Sequence, residues 1–378
     1  MKTLKNIIIG SAIIFALIYT LNLEYFVKGI RVVYLNLQTT VFIDDLKYFD
    51  HEVIESTPEK SPWPVSENVI VSFSDKFEKY NEDFGTVAYV VIHKDTIIAE
   101  KYYKGYSSNS STNSFSMAKT LVSASMAKAL ELGYIESLND KVIDYIPNLR
   151  GEFANQVRVI DLATMTSGLK WDEGTSDPFS PVAKQYFIND VEELMLNQPF
   201  IEKPGEKYHY SSGNTQLLSI LIEKASGIKF DKFFEKEIWS KINPDNDAYW
   251  QLDSKEKGNV KSFCCFHSNA RDFSRIGKLY LNYGKWDGDQ IIDSLFIRKS
   301  TTQFLESFDA YGIGVWLSNH KDMNISLMSG HQGQYVIMIP EKDLIITRLG
   351  ERDIDLGGPG VSGDVLVYID EALSLIQD

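Results

Sequence analysis

Strand-like stretches crowd the two ends of this 378-residue chain, and helical periodicity fills the region between them. Residues 86–93 read Thr-Val-Ala-Tyr-Val-Val-Ile-His, rich in β-branched side chains, and after the turn Lys94-Asp95-Thr96 residues 97–103 alternate, which predicts a hairpin. Strand patterns return at 312–317, 325–328, 335–339 and 344–348, with Pro340-Glu341-Lys342-Asp343 as the turn between the last two. Helical spacing covers 140–146, 159–165, 190–196, 214–225 and 230–238, then 270–281 and a closing amphipathic helix at 363–376; an edge helix is expected at 75–81. The pattern predicts an α+β fold: one mostly antiparallel sheet built from both ends, about 69–137 and 262–378, with an inserted helical part at about 138–261.

The first residues carry Lys2 and Lys5 and no acid, and 7–23 is almost wholly apolar. That is about 17 residues, or about 26 Å of helix, at the short end of what spans a bilayer. The positive start puts the N-terminus in the cytoplasm and the domain on the periplasmic or extracellular side. An uncleaved signal-anchor is the expectation, because no small-x-small cleavage site follows; a cleaved signal peptide is the competing reading, and both export the domain. Residues 24–40 are mixed and read as a helix along the membrane surface or as a spacer. Residues 42–68, with Pro58, Pro62 and Pro64, read as a linker.

The formal net charge of -14 argues against nucleic acid as a partner. Cys264 and Cys265 are adjacent, and neighbouring cysteines rarely pair, so no disulfide is expected. The six histidines show no metal-ligand spacing and there is no glycine-rich phosphate loop, so neither a metal nor a cofactor is expected. The oligomeric state is not readable.

The polar stretch 107–114 gives way at Ser116 to apolar residues at helical spacing: Met117, Leu121, Val122, Met126, Ala129 and Leu130, ended by Gly133. Ser116 therefore opens a helix and Lys119 follows one turn later on the same face. A serine at the positive end of a helix dipole, beside a desolvated lysine, can be activated without histidine. Ser-x-x-Lys alone is a weak signal, since it also occurs at Ser125, Ser167, Ser226, Ser254 and Ser318. Ser125, which shares Ser-Met-Ala-Lys with Ser116, falls mid-helix on roughly the opposite side.

Two further stretches offer partners. Residues 204–214 form a Pro-Gly and Ser-Ser-Gly loop before a helix. Its Tyr210 is an acid/base candidate, drawn toward phenolate if an ammonium stands beside it, or else a tyrosine packed at a helix start. Ser329-Gly330-His331-Gln332-Gly333-Gln334-Tyr335 opens a strand, where glycines admit a substrate to the backbone. An N–H on that strand edge, with the N–H of Ser116, can form an oxyanion hole. His331 as a triad base is the weaker reading, because a lysine already adjoins the serine.

Phe-Ser-Met-Ala-Lys-Thr, Tyr-Ser-Ser and Gly-His-Gln-Gly-Gln-Tyr, in this order and spacing, resemble the three motifs of the penicillin-recognising serine hydrolases. These include class C β-lactamases, D-Ala-D-Ala peptidases, and the related esterases and 6-aminohexanoate-dimer hydrolases. Residues 161–169, and Phe263-Cys264-Cys265 leading to 271–277, fit the last branch. The resemblance runs from about residue 84 to the C-terminus and implies a β-lactamase/transpeptidase-like fold. It implies Ser116 as nucleophile, Lys119 as general base, Tyr210 as the acid that protonates the leaving group, and the N–H groups of Ser116 and Gln334 as oxyanion hole. Ser212, His331, Gln332 and Gly333 would line the substrate. Two departures matter: His331-Gln332-Gly333 stands where β-lactamases usually carry Lys-Thr-Gly, and Ser212 stands where Tyr-x-Asn is common. Both favour a small ester or amide over β-lactams or cell-wall peptides. A catalytically idle cell-wall-binding protein is the remaining alternative.

Overall fold

The alternating and β-branched runs pair as their pattern demands. In the computed structural model, which describes residues 23–175, 177–353 and 362–376 with the isolated positions 6, 18 and 20, the main sheet has seven strands. Their order is Trp316–His320, Met323–Gly330, Gln334–Ile339, Leu344–Gly350, Thr86–His93, Thr96–Tyr102 and Val65–Ile70. All neighbours are antiparallel except the last pair. The ends of the chain meet where Leu344 opposes His93 and Arg348 opposes Tyr89.

Both faces of this sheet are covered, which explains why its central strands are buried along nearly their whole length. Asp75–Asp83 and Asp364–Ser374 pack on one face through Phe77, Val365, Tyr368 and Ile369. The other face carries Ala270–Leu281 and, beyond it, the helical part: Val142–Tyr145, Val159–Ala163, Pro181–Phe187, Val191–Leu196, Ser212–Ser226 and Phe230–Glu237. Ala118–Glu131 lies within this core and is buried almost all round, as a helix without a polar face must be.

The structure departs from the sequence expectations in several places. Residues 42–68 are not a linker. Ile43, Phe49, Ile54 and Trp63 are buried, and His51–Ile54 pairs with Ala248–Gln251 in a second sheet completed by Phe266–Ser268 and Thr112–Asn113. Asp45, wholly buried, accepts hydrogen bonds from Tyr186 at 2.5 Å, Gln251 at 2.7 Å and Asn113 at 3.2 Å. Burial raises its carboxyl to about 6 against the pull of those donors. Pro58 sits in a bend, and the segment's buried anchors lack any regular period. Residues 312–315 turn beneath the Ala118–Glu131 helix, Thr120 Oγ1 donating to the Gly314 carbonyl at 2.7 Å, so the strand starts only at Trp316.

Cys264 and Cys265 are joined in a disulfide, against expectation. Cys265 takes a left-handed φ of 69°, and this tight turn brings the two sulfurs onto one side of the chain. The apolar run 7–23 lies almost wholly outside the described residues, and among the described residues no helix is long and apolar enough to cross a membrane. Glu24–Val32, just after it, is a helix whose Tyr25 and Val32 enter the core.

Candidate active site

The small sheet delivers the nucleophile candidate. Thr112–Asn113 pairs with Phe266–Ser268, Ser114 N donates to the Phe266 carbonyl at 2.8 Å, and the chain then tightens into the 3-10 turn Phe115–Met117. Phe115 is held at φ 44°, a left-handed conformation that a bulky residue adopts only under constraint and that costs of the order of 1–3 kcal/mol. Its N–H donates to Asn113 Oδ1 at 2.9 Å, and Met117 N donates to the Ser114 carbonyl at 3.2 Å. The turn leaves Ser116 half-buried at the N-terminal end of Ala118–Glu131.

Lys119 is 2% exposed, and its Nζ lies 2.8 Å from Ser116 Oγ and 3.1 Å from the carbonyl oxygen of Phe263. Burial lowers its amine to about 8, while the Glu173 carboxylate works in the other direction. At neutral pH a useful fraction is therefore unprotonated and can accept the Ser116 proton. Ser125 offers nothing comparable: it is fully buried and its hydroxyl donates to the Leu121 carbonyl at 2.9 Å.

Tyr210 joins this pair. Lys119 Nζ sits 4.9 Å from the centre of its ring, and its phenol faces the Ser116 hydroxyl. Trp316 and Tyr311 flank it, with ring centres 5.4 and 6.1 Å away. Burial, and then Glu173, push the phenol upward, outweighing the hydrogen-bonding groups of Ser116 and Trp316. This reverses the expected drift toward phenolate: burial outweighs the neighbouring groups, so Tyr210 stays a neutral proton donor.

Glu173 was not legible in the sequence. It accepts from Trp171 Nε1 at 2.7 Å and Ser212 N at 2.9 Å, and Ser212 Oγ donates to its other oxygen. His209 N donates to the Met165 carbonyl at 2.8 Å, and His209 Nε2 to that of Trp171 at 3.0 Å. The 165–173 segment thus clamps the loop carrying Tyr210. No motif marks Glu173, because its partners are set by the tertiary fold.

The expected substrate-lining residues fare differently. Ser212 is 1% exposed, with its N–H and hydroxyl both held by Glu173. Gln332 Nε2 donates to the Val41 carbonyl at 2.8 Å. Gly330 and Gly333 are glycines for internal reasons: a Cβ at the first would strike the Ser114 carbonyl, and at the second the Arg348 guanidinium. Arg348 is itself buried and donates to the carbonyls of Gln332 and Gly333 at 2.8 Å each. This fastens the end of Met323–Gly330 beside the serine turn. His331 packs edge-on against Phe115, ring centres 5.5 Å apart, and lines a cavity. Gln334 is fully buried, and its side chain bridges the Gly350 and His331 carbonyls at 2.6 and 3.1 Å. Among the described residues no cluster of metal-ligating side chains occurs.

A serine and a buried lysine at a helix start, beside the hairpin end of two sheet strands and an aromatic wall, define a serine hydrolase of the β-lactamase/transpeptidase type. Residues 73–356 match the family model described as Beta-lactamase, and the chain belongs to that family. It is similar to the 6-aminohexanoate-dimer hydrolase of Paenarthrobacter ureafaciens, 23% identical over 79% of this chain and 81% of the relative. Among solved structures it resembles a candidate 6-aminohexanoate-dimer hydrolase from Bacillus anthracis, with a TM-score of 0.70 and 19% identity over 88% of this chain and 92% of the other. A family VIII carboxylesterase shares the fold at a TM-score of 0.60 and 14% identity, over 81% and 99% of the two chains.

Proposed function

We propose that the protein cleaves a small ester or amide through an acyl-enzyme on Ser116. The observation that carries this reading is the 2.8 Å approach of the buried Lys119 amine to Ser116 Oγ. In the first half, neutral Lys119 takes the hydroxyl proton as Oγ bonds to the substrate carbonyl carbon. The N–H groups of Ser116 and Gln334 hold the oxyanion. Tyr210 gives its proton to the departing alkoxide or amine and recovers one from the Lys119 ammonium. Water then attacks the acyl-enzyme. Since burial keeps Tyr210 protonated, Lys119 is the base in this half as well.

His331-Gln332-Gly333 supplies no permanent cation for a substrate carboxylate, which supports neutral esters and amides. Relatives bearing the names dimer hydrolase and carboxylesterase point the same way. In this reading residues 7–23 hold the domain at the outer face of a membrane. The test is labelling of the full-length protein with a fluorophosphonate. Label on wild type that is lost in Ser116→Ala is expected; label that survives in Ser116→Ala, or none on a folded wild type, would overturn the assignment.

A further inference from the structure

Against His331 lies a cavity that the proposed chemistry does not use. Its volume is about 250 Å³, and it opens between the helix Glu24–Val32 with the chain that follows, the helix Pro181–Phe187, and His331. Gly29, Val33, Ala183, Tyr186 and Phe187 line it with His331, and among the described residues its lining holds no lysine, arginine, aspartate or glutamate. Tyr186 offers its ring, because its hydroxyl is turned to Asp45 and is also met by Asn113 Nδ2 at 3.0 Å.

Two of its walls pack on residues that adjoin Ser116 or Lys119. His331 packs on Phe115, the residue preceding Ser116. Tyr186 meets Phe263 at 6.5 Å between ring centres, and the Phe263 carbonyl accepts from Lys119. Near the outer end the chain exposes Ile30, Tyr34, Leu35 and Leu37, the last of them 94% exposed. This apolar rim follows the apolar run 7–23 in sequence.

We propose that this cavity is an acyl-chain site, and that the substrate is an ester of a medium-length fatty acyl group whose carbonyl lies at Ser116. The proposal rests on Ser116 being the nucleophile. An apolar cavity of about 150 Å³ admits a benzene-sized molecule, so this one has room for a chain of roughly eight carbons. Each methylene moved from water into such a lining favours binding roughly fourfold. The His331 wall of the cavity packs on Phe115, which precedes Ser116, so an acyl chain carried on Ser116 would reach the cavity past that pair of rings, and its rim suits a chain arriving from a lipid surface.

The test compares 4-nitrophenyl acetate with 4-nitrophenyl octanoate on the full chain in phospholipid nanodiscs, wild type against Ala183→Phe. Ala183 lies outside the catalytic group, and a phenyl ring there fills the cavity. At least a tenfold preference in kcat/KM for octanoate is expected. Ala183→Phe should abolish it while acetate turnover stays within about twofold. Equal turnover of both esters by wild type, or a proportional fall of both in the variant, overturns the proposal. A second measurement does not need catalysis: Ser116→Ala should bind a dansyl-labelled undecanoic acid, and Ser116→Ala with Ala183→Phe should not. Failure to hydrolyse any ester while the probe still binds would sink the ester substrate and leave the cavity as an acyl-binding site; failure of the probe to bind while esters are still turned over would sink the acyl-chain site and leave the functional reading.

Discussion

If Lys119 must be neutral to act, kcat/KM is set by its titration. Burial has carried the amine from the usual 10.5 to about 8, a difference of roughly 3 kcal/mol between its two protonation states. At that value about 1% of the enzyme holds a neutral Lys119 at pH 6, about 9% at pH 7 and half at pH 8. The rate constant should therefore climb roughly fifty-fold from pH 6 to pH 8 and level above pH 9. At its ordinary value the same lysine would still be rising there. Glu173 gives the matching perturbation: its carboxylate favours the ammonium, so Glu173→Gln should move the limb to lower pH. The assay is hydrolysis of 4-nitrophenyl butyrate, read at the isosbestic wavelength of the released phenol. A flat profile between pH 6 and 9 would refute the role of Lys119. A limb that rises in Glu173→Gln would show that the carboxylate does not act through charge.

Two further outcomes follow from the same geometry. Tyr210→Phe should cost about 10²- to 10⁴-fold on amides and alkyl esters, whose leaving groups need a proton, and much less on 4-nitrophenyl esters; equal losses on both would remove Tyr210 from leaving-group protonation. Lys119→Met should abolish activity yet stabilise the fold at pH 7. The folded amine is depressed, so the unfolded chain binds the extra proton between about pH 8 and 10.5. Stability therefore falls as pH drops through that window and stays low beneath it. Removing the roughly 3 kcal/mol penalty, less about 1 kcal/mol for each of two lost hydrogen bonds, leaves a gain of about 1 kcal/mol in urea unfolding. The gain should vanish above pH 10, and a Met variant weaker at pH 7 would contradict it.

The features legible in the sequence are those fixed by short-range physics. Thr86–His93 shows its strand in its β-branched content, and Ala270–Leu281 matches its periodic run residue for residue. Ser116 and Ser125 were separable because one lies at a helix start and the other mid-helix, and the structure gives them different partners. The second sheet was hidden. Thr112–Asn113 has two residues and Phe266–Ser268 three, too short for any period to emerge. Residues 42–68 were misread for a related reason: their anchors enter the core singly, between bends, and leave no pattern.

The site divides along the same line. Ser116 and Lys119 lie one helical turn apart, so the spacing alone places them together. Glu173 reaches Ser212 across 39 positions of sequence, and Phe263 reaches Lys119 across 144. Those two long-range contacts hold Ser212 and Lys119 in place, and the Glu173 carboxylate works against the burial that lowers the Lys119 amine. The pull toward phenolate expected for Tyr210 beside an ammonium is the behaviour of a solvent-exposed pair. Burial inverts the inference, because one desolvated pocket weakens the charge of the lysine and the acidity of the phenol together. A motif can therefore name candidates for the acid and the base here, but only the packing around them sets how far each departs from its ordinary titration.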